Sequence, residues 1–271
     1  MNAHKRRVGI ISGAVLAATL GAFGLYQTTT PDESAPATAG PQTSVSVGTD
    51  LQAVLNAAAC GATLNLEAGA TYTGPITLPV KPCTDLMPLT IQSSRAAELP
   101  VGVRVRPEQS PLMARIVSPG QGQPAIRTEA GAHHYRLIGL EVAPVDRTAF
   151  VYDLVLLGDG GSEQNTLEKV PHHLTLDRCY IHAYPQQSLK RGLALNSAST
   201  DILNSYISGF KVVGQEAQAI MGWNGPGPYQ IINNYLEAAG ENVMFGGADA
   251  RIPGLVPSDI VFKRNYLTKP L

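Results

Sequence analysis

The sequence predicts an all-β fold, a right-handed parallel β-helix with three strands per coil and an N-terminal capping helix. The first observation is a short strand-like pattern that comes round four times between residues 172 and 268. The second is another strand-like segment in front of each copy. The third is a composition with 27 glycines, 20 prolines and 15% charged residues, which is typical of loop-rich all-β proteins.

Each copy of the repeated pattern alternates apolar and polar residues, then has a small or amide residue, a tyrosine and an isoleucine or leucine. The tyrosines are 26, 29 and 31 residues apart, and a strand-like repeat of this length indicates the stacked coils of a solenoid. The copies span residues 172–182, 200–208, 229–237 and 258–268. Their tyrosines are Tyr180, Tyr206, Tyr235 and Tyr266.

The position before each tyrosine predicts a tight corner between two strands, because it always holds a small residue or one that can hydrogen-bond locally. Stacked strands lie about 4.8 Å apart, so residues at equal positions should form ladders. We expect the tyrosines to point outward and stack on one another, which also suits a sugar-binding platform. The corner residues are Cys179, Ser205, Asn234 and Asn265, and Cys179 is expected to be small and buried rather than catalytic.

A second strand precedes each corner unit, and a third follows from the period-two alternation within the unit itself. Three strands per coil that all run in one direction make a right-handed parallel β-helix. The second-strand segments are 151–158, 191–196, 218–224 and 241–247.

The chain resembles the pectate-lyase-like family of single-stranded β-helix proteins, in a bacterial branch of β-helix repeat proteins. The resemblance covers residues 45–271 and implies the β-helix fold and action on an acidic polysaccharide. The dense aspartate set of the family's calcium-dependent lyases is absent, with Asp177 alone on a comparable strand, and so are the paired aspartates and Gly-His-Gly element of its hydrolases. The segments on which the resemblance rests are residues 132–141, 176–182, 223–228 and 240–247.

The N-terminal 26 residues are predicted to be a signal peptide or a membrane anchor. A basic stretch, His4–Arg7, precedes an apolar run of 18 residues, Val8–Leu25. That length is at the lower edge of a spanning helix, so cleavage and anchoring both stay open. Either way the protein is expected to be exported: periplasmic, secreted or anchored to the outer face of the membrane. Residues 27–44 are predicted to be a disordered linker, and residues 45–271 the folded domain.

A short helix is expected to open the folded domain and cover the first coil. Thr49 or Asp50 can cap it. A disulfide between Cys60 and Cys83 is expected to tie this cap to the first coil, since exported proteins form such bonds; two separate thiols are the alternative. The residues on the predicted apolar face are Leu51, Val54, Leu55 and Ala58.

The last predicted strand lies close to Leu271, and no capping segment follows it. An uncovered coil leaves unpaired backbone groups at its edge. The sequence therefore predicts either a truncated chain or contact with another chain at this coil.

Candidate catalytic residues lie on loops at the ends of the predicted second strand, because loops on a rigid scaffold tend to carry sites. A β-elimination lyase needs a base and a cation, so we expect Lys190 or Arg191 as the base and Arg251 as a second cation. A glycoside hydrolase needs two carboxylates across the bond, for which Glu216 and Glu241 are the candidate pair.

Further candidates are His182 as an acid or base and Trp223 as a carbohydrate contact. Calcium would need several carboxylates together, from Glu216, Glu241 and Asp249. The alternative is that these side chains are solvated loop charges and strand-end hydrogen bonds. The expected substrate-binding residues are Trp223, Asn224, Asn242, Asp249 and Arg251.

Two histidine pairs stand at equal distances from aligned positions, His133-His134 before Leu140 and His172-His173 before Cys179. We expect the pairs to stack on neighbouring coils. Such a column either binds a metal with a nearby carboxylate or packs as a ladder at the start of a strand.

The functional hypotheses come from two classes. A net charge of −1 gives no reason to expect a nucleic-acid partner. The first hypothesis is a polysaccharide lyase, or less favourably a hydrolase, that acts on an acidic polysaccharide. The second is a non-catalytic β-helix that binds surface glycan or forms part of the envelope, or an inactive fragment. Only the N-terminal segment is expected to contact a membrane.

Overall fold

The structure, a computed structural model, describes residues 40–270 of the chain. The predicted signal or anchor segment and residues 27–39 of the predicted linker lie outside the described residues. Within residues 40–270, no helix is long and apolar enough to cross a membrane.

The described chain consists almost entirely of short strands. It also has one α-helix, α1 (Leu51–Ala57), and short 3-10 helices at Ala96–Glu98, Pro107–Leu112 and Leu167–Lys169. The strands are β1 (Gln42–Val45), β2 (Thr63–Leu66), β3 (Thr71–Thr73), β4 (Ile76–Leu78), β5 (Leu89–Ser93), β6 (Ala114–Ser118), β7 (Ile126–Thr128), β8 (His133–Ile138), β9 (Leu140–Pro144), β10 (Asp153–Leu157), β11 (His172–Asp177), β12 (Tyr180–His182), β13 (Arg191–Leu195), β14 (Ala198–Leu203), β15 (Tyr206–Phe210), β16 (Gln218–Gly222), β17 (Tyr229–Ile232), β18 (Tyr235–Ala238), β19 (Glu241–Phe245), β20 (Ile260–Lys263) and β21 (Tyr266–Thr268).

These strands form three parallel sheets, and successive strands visit the sheets in rotation. The first sheet has the order β1-β2-β5-β8-β11-β14-β17-β20, the second β3-β6-β9-β12-β15-β18-β21 and the third β4-β7-β10-β13-β16-β19. Each coil therefore contributes one strand to each sheet, and each strand pairs with its equivalent one coil away. The predicted parallel β-helix with three strands per coil is confirmed.

The corner between the first and second sheets is held by a ladder of side chains. Cys179 N donates to Ser205 Oγ (3.0 Å), Ser205 N to Asn234 Oδ1 (2.9 Å), and Asn234 N to Asn265 Oδ1 (2.8 Å). Each of these residues follows one in the left-handed backbone region, such as Asn204 with φ of 50°. The predicted corner is confirmed: the turn costs backbone hydrogen bonds, and the stacked side chains replace them.

Cys179 fills this corner as a buried thiol. Burial raises the pKa of the thiol to about 12, so it stays protonated at neutral pH. The residue is structural, as the sequence predicts.

The inside of the coil is apolar along its whole described length. One cluster joins inward-facing side chains of all three sheets, and Tyr135, Tyr229 and Phe210 are its largest fully buried members. Burying each leucine or isoleucine here stabilises the fold by roughly 1.5–3 kcal/mol.

The helix α1 covers the first coil, as predicted. Asp50 is its cap, since its Oδ1 accepts from Ala53 N at 3.1 Å, and Leu51 and Leu55 are buried in the core. Gln52 donates to Thr77 O (2.9 Å) and accepts from Thr77 N (2.7 Å), so it takes the place of a neighbouring strand at the edge strand β4.

A disulfide joins Cys60 and Cys83, the pairing that the sequence predicts. The two cysteines are 23 positions apart in the sequence, and the bond ties the capping region to the first coil. A cross-link of this size is worth about 2–4 kcal/mol.

The folded part begins earlier than the predicted boundary at Val45. Strand β1 starts at Gln42 and pairs in parallel with β2. Only Val45 of this strand is buried. The other residues are exposed glutamine, threonine and serine, so the strand has the composition of a linker and shows no apolar pattern in the sequence.

The final described coil is open on its outer side. Ile260, Val261 and Phe262 of β20 are exposed, and no strand among residues 40–270 pairs with the outer edges of β20 and β21.

Replacing Asn234 by alanine should destabilise the fold by about 1–3 kcal/mol, because the Ser205 N–H and the Ile202 carbonyl would lose their partner in a buried corner. Urea unfolding measures this. Asn165→Ala, at an exposed side chain, is the matched control and should change stability little. Equal stabilities for the two variants would contradict a structural role for the corner ladder.

The Cys179 thiol should resist alkylation in the folded protein and react once the protein is unfolded in urea. Mass spectrometry after labelling at pH 8 without reductant gives the number of alkylated cysteines per chain. A label on the folded chain at the rate of a free thiol would show that the corner opens.

Candidate active site

A column of aromatic side chains forms the floor of a groove on the outer face of the second sheet. Tyr180, Tyr206, Tyr235 and Tyr266 are in register on β12, β15, β18 and β21. The Tyr206 and Tyr235 rings are stacked with centroids 4.0 Å apart, and those of Tyr235 and Tyr266 are 5.5 Å apart. The Tyr180 and Tyr206 rings meet edge to face, with centroids 5.7 Å apart, so the predicted outward-facing stack is confirmed for Tyr206, Tyr235 and Tyr266 only. We call this surface the tyrosine groove.

The long connection between β5 and β6 forms one wall of the tyrosine groove. Leu99, Val105 and Met113 of this segment form a small buried cluster that packs against Tyr180 and Tyr206. The buried Arg178 donates to Leu99 O at 2.8 Å and thereby pins the segment to the corner. The wall is therefore fixed to the β-helix rather than free in solvent.

The tyrosine groove comprises two cavities that share Tyr235, of about 730 Å³ beside the wall and about 660 Å³ towards Tyr184. Carboxylates in the lining are Glu108 and Glu237. Basic residues are more numerous, so the groove favours an anionic ligand. They are Arg104, Arg106, Lys211 and Lys269.

Tyr184 stands at the end of the groove between two guanidinium groups. Arg115 donates a hydrogen bond to the Tyr184 hydroxyl. The guanidinium carbon of Arg115 lies 5.7 Å from the centroid of the Tyr184 ring, and that of Arg147 lies 5.8 Å from it. Arg115 therefore places a positive charge at the phenol oxygen, and Arg147 places one beside the ring.

Two loops carry Tyr184 and Arg147, and the buried Gln187 joins them. Its Oε1 accepts from Tyr184 N (3.1 Å), and its Nε2 donates to Asp146 O (3.2 Å) and Ala149 O (2.9 Å). The Asp146 carboxylate in turn accepts from Thr148 and Ala149 N–H groups. Arg147 is therefore held on an ordered turn next to Tyr184.

Beneath Tyr184 lies a charged layer that continues the tyrosine column into the preceding coils. Glu141 pairs in register with Tyr180, and Arg115 with Glu141. His182 Nε2 lies 2.9 Å from Glu141 Oε1, and Arg115 Nε lies 3.5 Å from the same oxygen. Glu141 thus holds both the imidazole and the guanidinium under the phenol.

His182, a predicted acid or base, belongs to this layer but is only 7% exposed. Its ring is stacked on Tyr180 at 4.1 Å, and its nitrogens contact Glu141 and Ala183 O. The geometry makes it a support for Glu141 and Tyr184, and its predicted role in proton transfer stays a prediction.

Two tyrosines of the floor, Tyr180 and Tyr235, are held in the neutral form. Burial, and secondly the Glu141 carboxylate, raise the pKa of Tyr180 to about 12. Burial, the hydrogen bond with Tyr206 and the Glu237 carboxylate raise the pKa of Tyr235. Both phenols are therefore suited to stacking rather than to proton transfer at neutral pH.

The other predicted catalytic residues lie on the third sheet, away from the tyrosine groove. Arg191 is paired with Asp153 at 3.0 Å and lies 3.2 Å from Gln218 Oε1, and Gln218 donates to Glu241 at 2.9 Å. These side chains form one continuous row across four neighbouring strands. They satisfy one another, which leaves Arg191 paired rather than poised as a free base.

Lys190 and Glu216 are not brought together with this row. Lys190 is half-buried beside β13, and its carbonyl accepts from Gln218 N at 2.9 Å. Glu216 is exposed in the loop before β16. The carboxylate of Glu241 faces Gln218 instead of Glu216.

The predicted substrate-binding residues mostly anchor loops. Asn224 is buried, donates to Asp159 O and Gln164 O, and accepts from Arg251 N. Trp223 donates to Gly160 O at 3.2 Å, and the guanidinium of Arg191 lies 5.4 Å above its ring. Trp223 therefore covers the loop after β10 on the third sheet.

The remaining predicted residues lie at the far end of the described chain. Asn242 is buried and donates to Leu236 O (2.7 Å) and Thr268 O (2.6 Å). Asp249 and the Arg251 side chain are exposed on the loop between β19 and β20. Their roles in binding stay predictions.

The residues that the sequence analysis missed are Arg115, Glu141, Arg147 and Tyr184. Three of them had a usable signal. Following the tyrosine column backwards by one coil leads to Glu141 and by two coils to Arg115. Continuing the period-two alternation of Tyr180 and His182 leads to Tyr184. Arg147 lies on a loop, and no periodicity points to it.

Comparison with known proteins adds little. No family model matches the chain, and no curated protein matches it. Among solved structures, the chain is similar to an alginate lyase from Paenibacillus sp. str. FPU-7, with 15% identity and a TM-score of 0.45 over 84% of this chain and 74% of that one. A likeness at this level carries no argument, and the fold rests on the strand pairing.

Proposed function

We propose that this protein is a polysaccharide lyase that cleaves an acidic polysaccharide by β-elimination in the tyrosine groove. The observation that carries the proposal is the Tyr184 hydroxyl at the end of a basic groove, which Arg115 contacts directly while Arg147 lies against the ring.

The reaction needs a group that removes the proton next to the uronate carboxylate. In the proposed reaction Tyr184 takes this proton as a phenolate, with the Arg115 guanidinium in contact with its oxygen. The C–H electrons then form the double bond of the new unsaturated end as the bond to the glycosidic oxygen breaks. The phenol so formed returns its proton to the departing oxygen, and Tyr184 is regenerated.

The carboxylate of the reacting uronate has to be neutralised before its neighbouring proton becomes acidic. Arg147 is exposed, and among residues 40–270 it makes no ion pair, so its guanidinium is free for the substrate. Lys211, half-buried in the groove lining, supplies a second positive charge. Arg115 is committed to Glu141 and Tyr184 and acts by holding the phenol.

The rest of the tyrosine groove binds the neighbouring sugar units of the polysaccharide. The tyrosine rings cover one another's faces, so they line the groove with ring edges and hydroxyl groups. Arg106 lies along one side for a further carboxylate, while Arg104 and Lys269 add positive charge and donate to backbone carbonyls. An exposed basic groove of this kind makes binding sensitive to salt, since the screening length is about 10 Å at 0.1 M.

Hydrolysis is less well supported by the groove. It needs two carboxylates placed across the scissile bond. Glu141 is engaged by His182 and Arg115, while Glu237 accepts from Tyr235 and Gly209. Glu108, exposed on the wall, is the one lining carboxylate among residues 40–270 without a side-chain partner, and a hydrolase needs a second free carboxylate across the bond.

The second candidate function is glycan binding without cleavage. The tyrosine stack and the basic side chains would hold a polyanionic sugar whether or not Tyr184 reacts. Under both candidates we place the protein outside the cytoplasm, because of the predicted export segment and the disulfide.

Lyase activity should depend on Tyr184. Uronic-acid polysaccharides incubated with the protein, with and without calcium, should gain unsaturated ends, which absorb in the ultraviolet. Tyr184→Phe should lower the rate by about 100-fold or more, because it removes the proton-transfer group. Tyr152→Phe, at an exposed tyrosine outside the groove, is the matched control.

Arg191→Gln tests the predicted site on the third sheet in the same assay. The proposal predicts that this variant, if folded, keeps its activity. Activity that is lost in Arg191→Gln and kept in Tyr184→Phe would contradict it. New reducing ends without unsaturated ends would show that the protein cleaves the polysaccharide by hydrolysis and not by elimination.

Tyr206→Ala should weaken the binding of uronate oligosaccharides severalfold, and binding of the unchanged protein should weaken as salt rises. Calorimetry with Tyr184→Phe as the parent protein separates binding from turnover. Specific binding with no cleavage of any polysaccharide would favour the second candidate function.

A further inference from the structure

A cluster of four histidines lies on the first sheet, away from the tyrosine groove. His133 and His172 are in register at the starts of β8 and β11, and each is followed by a second histidine. The rings of His133 and His172 are stacked at 4.8 Å, and those of His134 and His173 at 4.6 Å. The predicted stacking of the two pairs on neighbouring coils is confirmed.

The backbone turns both members of each pair towards the same side. Consecutive residues of an extended strand point to opposite faces, but His134 and His173 have φ of 60° and 54°. As a result, the two Nδ1 atoms within each pair are only 2.6 Å apart. Such a contact joins one N–H donor to one acceptor, and a metal ion that binds both rings of a pair has to replace it, since each neutral imidazole has one nitrogen lone pair to give.

The left-handed backbone conformation of His134 and His173 occurs at the equivalent position of other coils, where the residue is not histidine. Ser199 and Asp259 adopt the same backbone region at the starts of later coils, with φ of 44° and 54°. Histidine fills the position on two adjacent coils only. Pro88 and Pro228 stand at the equivalent position of two other coils, so the left-handed turn occurs on some coils only, and the sequence uses it twice in succession to gather imidazoles.

Three of these histidines bring their ligand atoms into one small volume. The nitrogens of His134, His172 and His173 all lie within 4.8 Å of one another. Tetrahedral ligands about 2.0–2.1 Å from a zinc ion are separated by ~3.4 Å, so modest side-chain rotations bring the three nitrogens to that spacing. The rings of His134 and His173 border an open cavity of about 300 Å³, through which an ion can enter.

A carboxylate completes the arrangement. Asp85 Oδ1 lies 3.3 Å from His134 Nε2, and its side chain is 79% exposed. A carboxylate that accepts from one ring nitrogen fixes the tautomer and leaves the other nitrogen for a metal. With its Nε2–H facing Asp85, His134 would bind the ion through Nδ1, which then takes the ion in place of its contact with His133 Nδ1.

We propose that His134, His172 and His173, oriented in part by Asp85, bind a divalent first-row transition ion such as Zn²⁺. Imidazole nitrogens suit zinc, copper and nickel, whereas calcium and magnesium prefer oxygen ligands. The ion joins two coils to the segment that follows the Cys60–Cys83 disulfide. Its role is to clamp the N-terminal half of the β-helix, and it takes no part in reaction at the tyrosine groove.

The test is a metal titration of the full-length protein after treatment with a chelator. Isothermal calorimetry with Zn²⁺ should show one site per chain, with Ca²⁺ and Mg²⁺ inactive at equal concentration. The melting temperature should rise with Zn²⁺ concentration, as it does for any ligand of the folded state. Substitution by Co²⁺ should give the visible absorption of nitrogen coordination, which needs no variant.

Variants locate the site. His134→Gln and His173→Gln should each weaken Zn²⁺ binding at least tenfold, and Asp85→Asn by roughly tenfold as an orienting residue. Gln230→Ala, in the same cavity but without a proposed ligand, should bind as the parent does. Circular dichroism of each variant without metal establishes that it is folded.

Two results would overturn the proposal. One is the absence of Zn²⁺ binding and of the Co²⁺ absorption in the unchanged protein. The other is Zn²⁺ binding of undiminished affinity in a folded His134→Gln/His173→Gln double variant, since the ion would then bind elsewhere on the chain.

Discussion

In-register pairing between successive coils is the constraint on which the rest of the structure depends. Every strand pairs with its equivalent one coil away, so each side chain lies directly above the side chain at the same position in the next coil. Parallel strands allow no freedom in this, because a slip of one residue would turn the apolar face outward. The side chains at equivalent positions of successive coils must therefore be able to pack against one another.

The columns of this protein meet that requirement in four ways. Amides and hydroxyls accept backbone N–H groups at the corner, as Asn234 does from Ser205. Tyrosines stack on the second sheet. Arg191 alternates with acidic and amide partners on the third sheet. On the first sheet, two histidine pairs stack and converge on one volume.

The proposed site lies where the tyrosine column changes chemistry. Towards the N-terminus the same column reads Glu141 and then Arg115, and these charges are covered by Tyr184 from a neighbouring loop. The rigid coil fixes the charged layer, and the loops joined by Gln187 add the phenol and the Arg147 guanidinium. A periodic scaffold thus supplies position, and aperiodic loops supply the reactive groups.

How much could be predicted from the sequence follows from the same division. The repeated tyrosines and the residues before them predicted the coil, the corner and the outward stack, because period and burial are local properties of a strand. The disulfide was predicted from cysteine spacing in a chain expected to be exported. The start of the fold at β1 was missed, since an edge strand needs only one buried side chain.

The site was harder to predict because lateral distances between loops and sheets are absent from the pattern. Arg191 and Glu241 stand at the strand ends where a groove was expected, yet their charges are satisfied within their own row. Tyr184 and Arg147 lie on different loops, 37 positions apart in the sequence, and meet only through the coil between them.

The central claim is that the tyrosine groove holds an acidic polysaccharide, and the most direct measurement is a crystal structure of Tyr184→Phe with a bound uronate oligosaccharide. The account predicts sugar rings against the tyrosine column, with one carboxylate at Arg147 and the neighbouring C–H facing residue 184. Sugar bound at Trp223 and Arg191 on the third sheet, with the tyrosine groove left free, would contradict it.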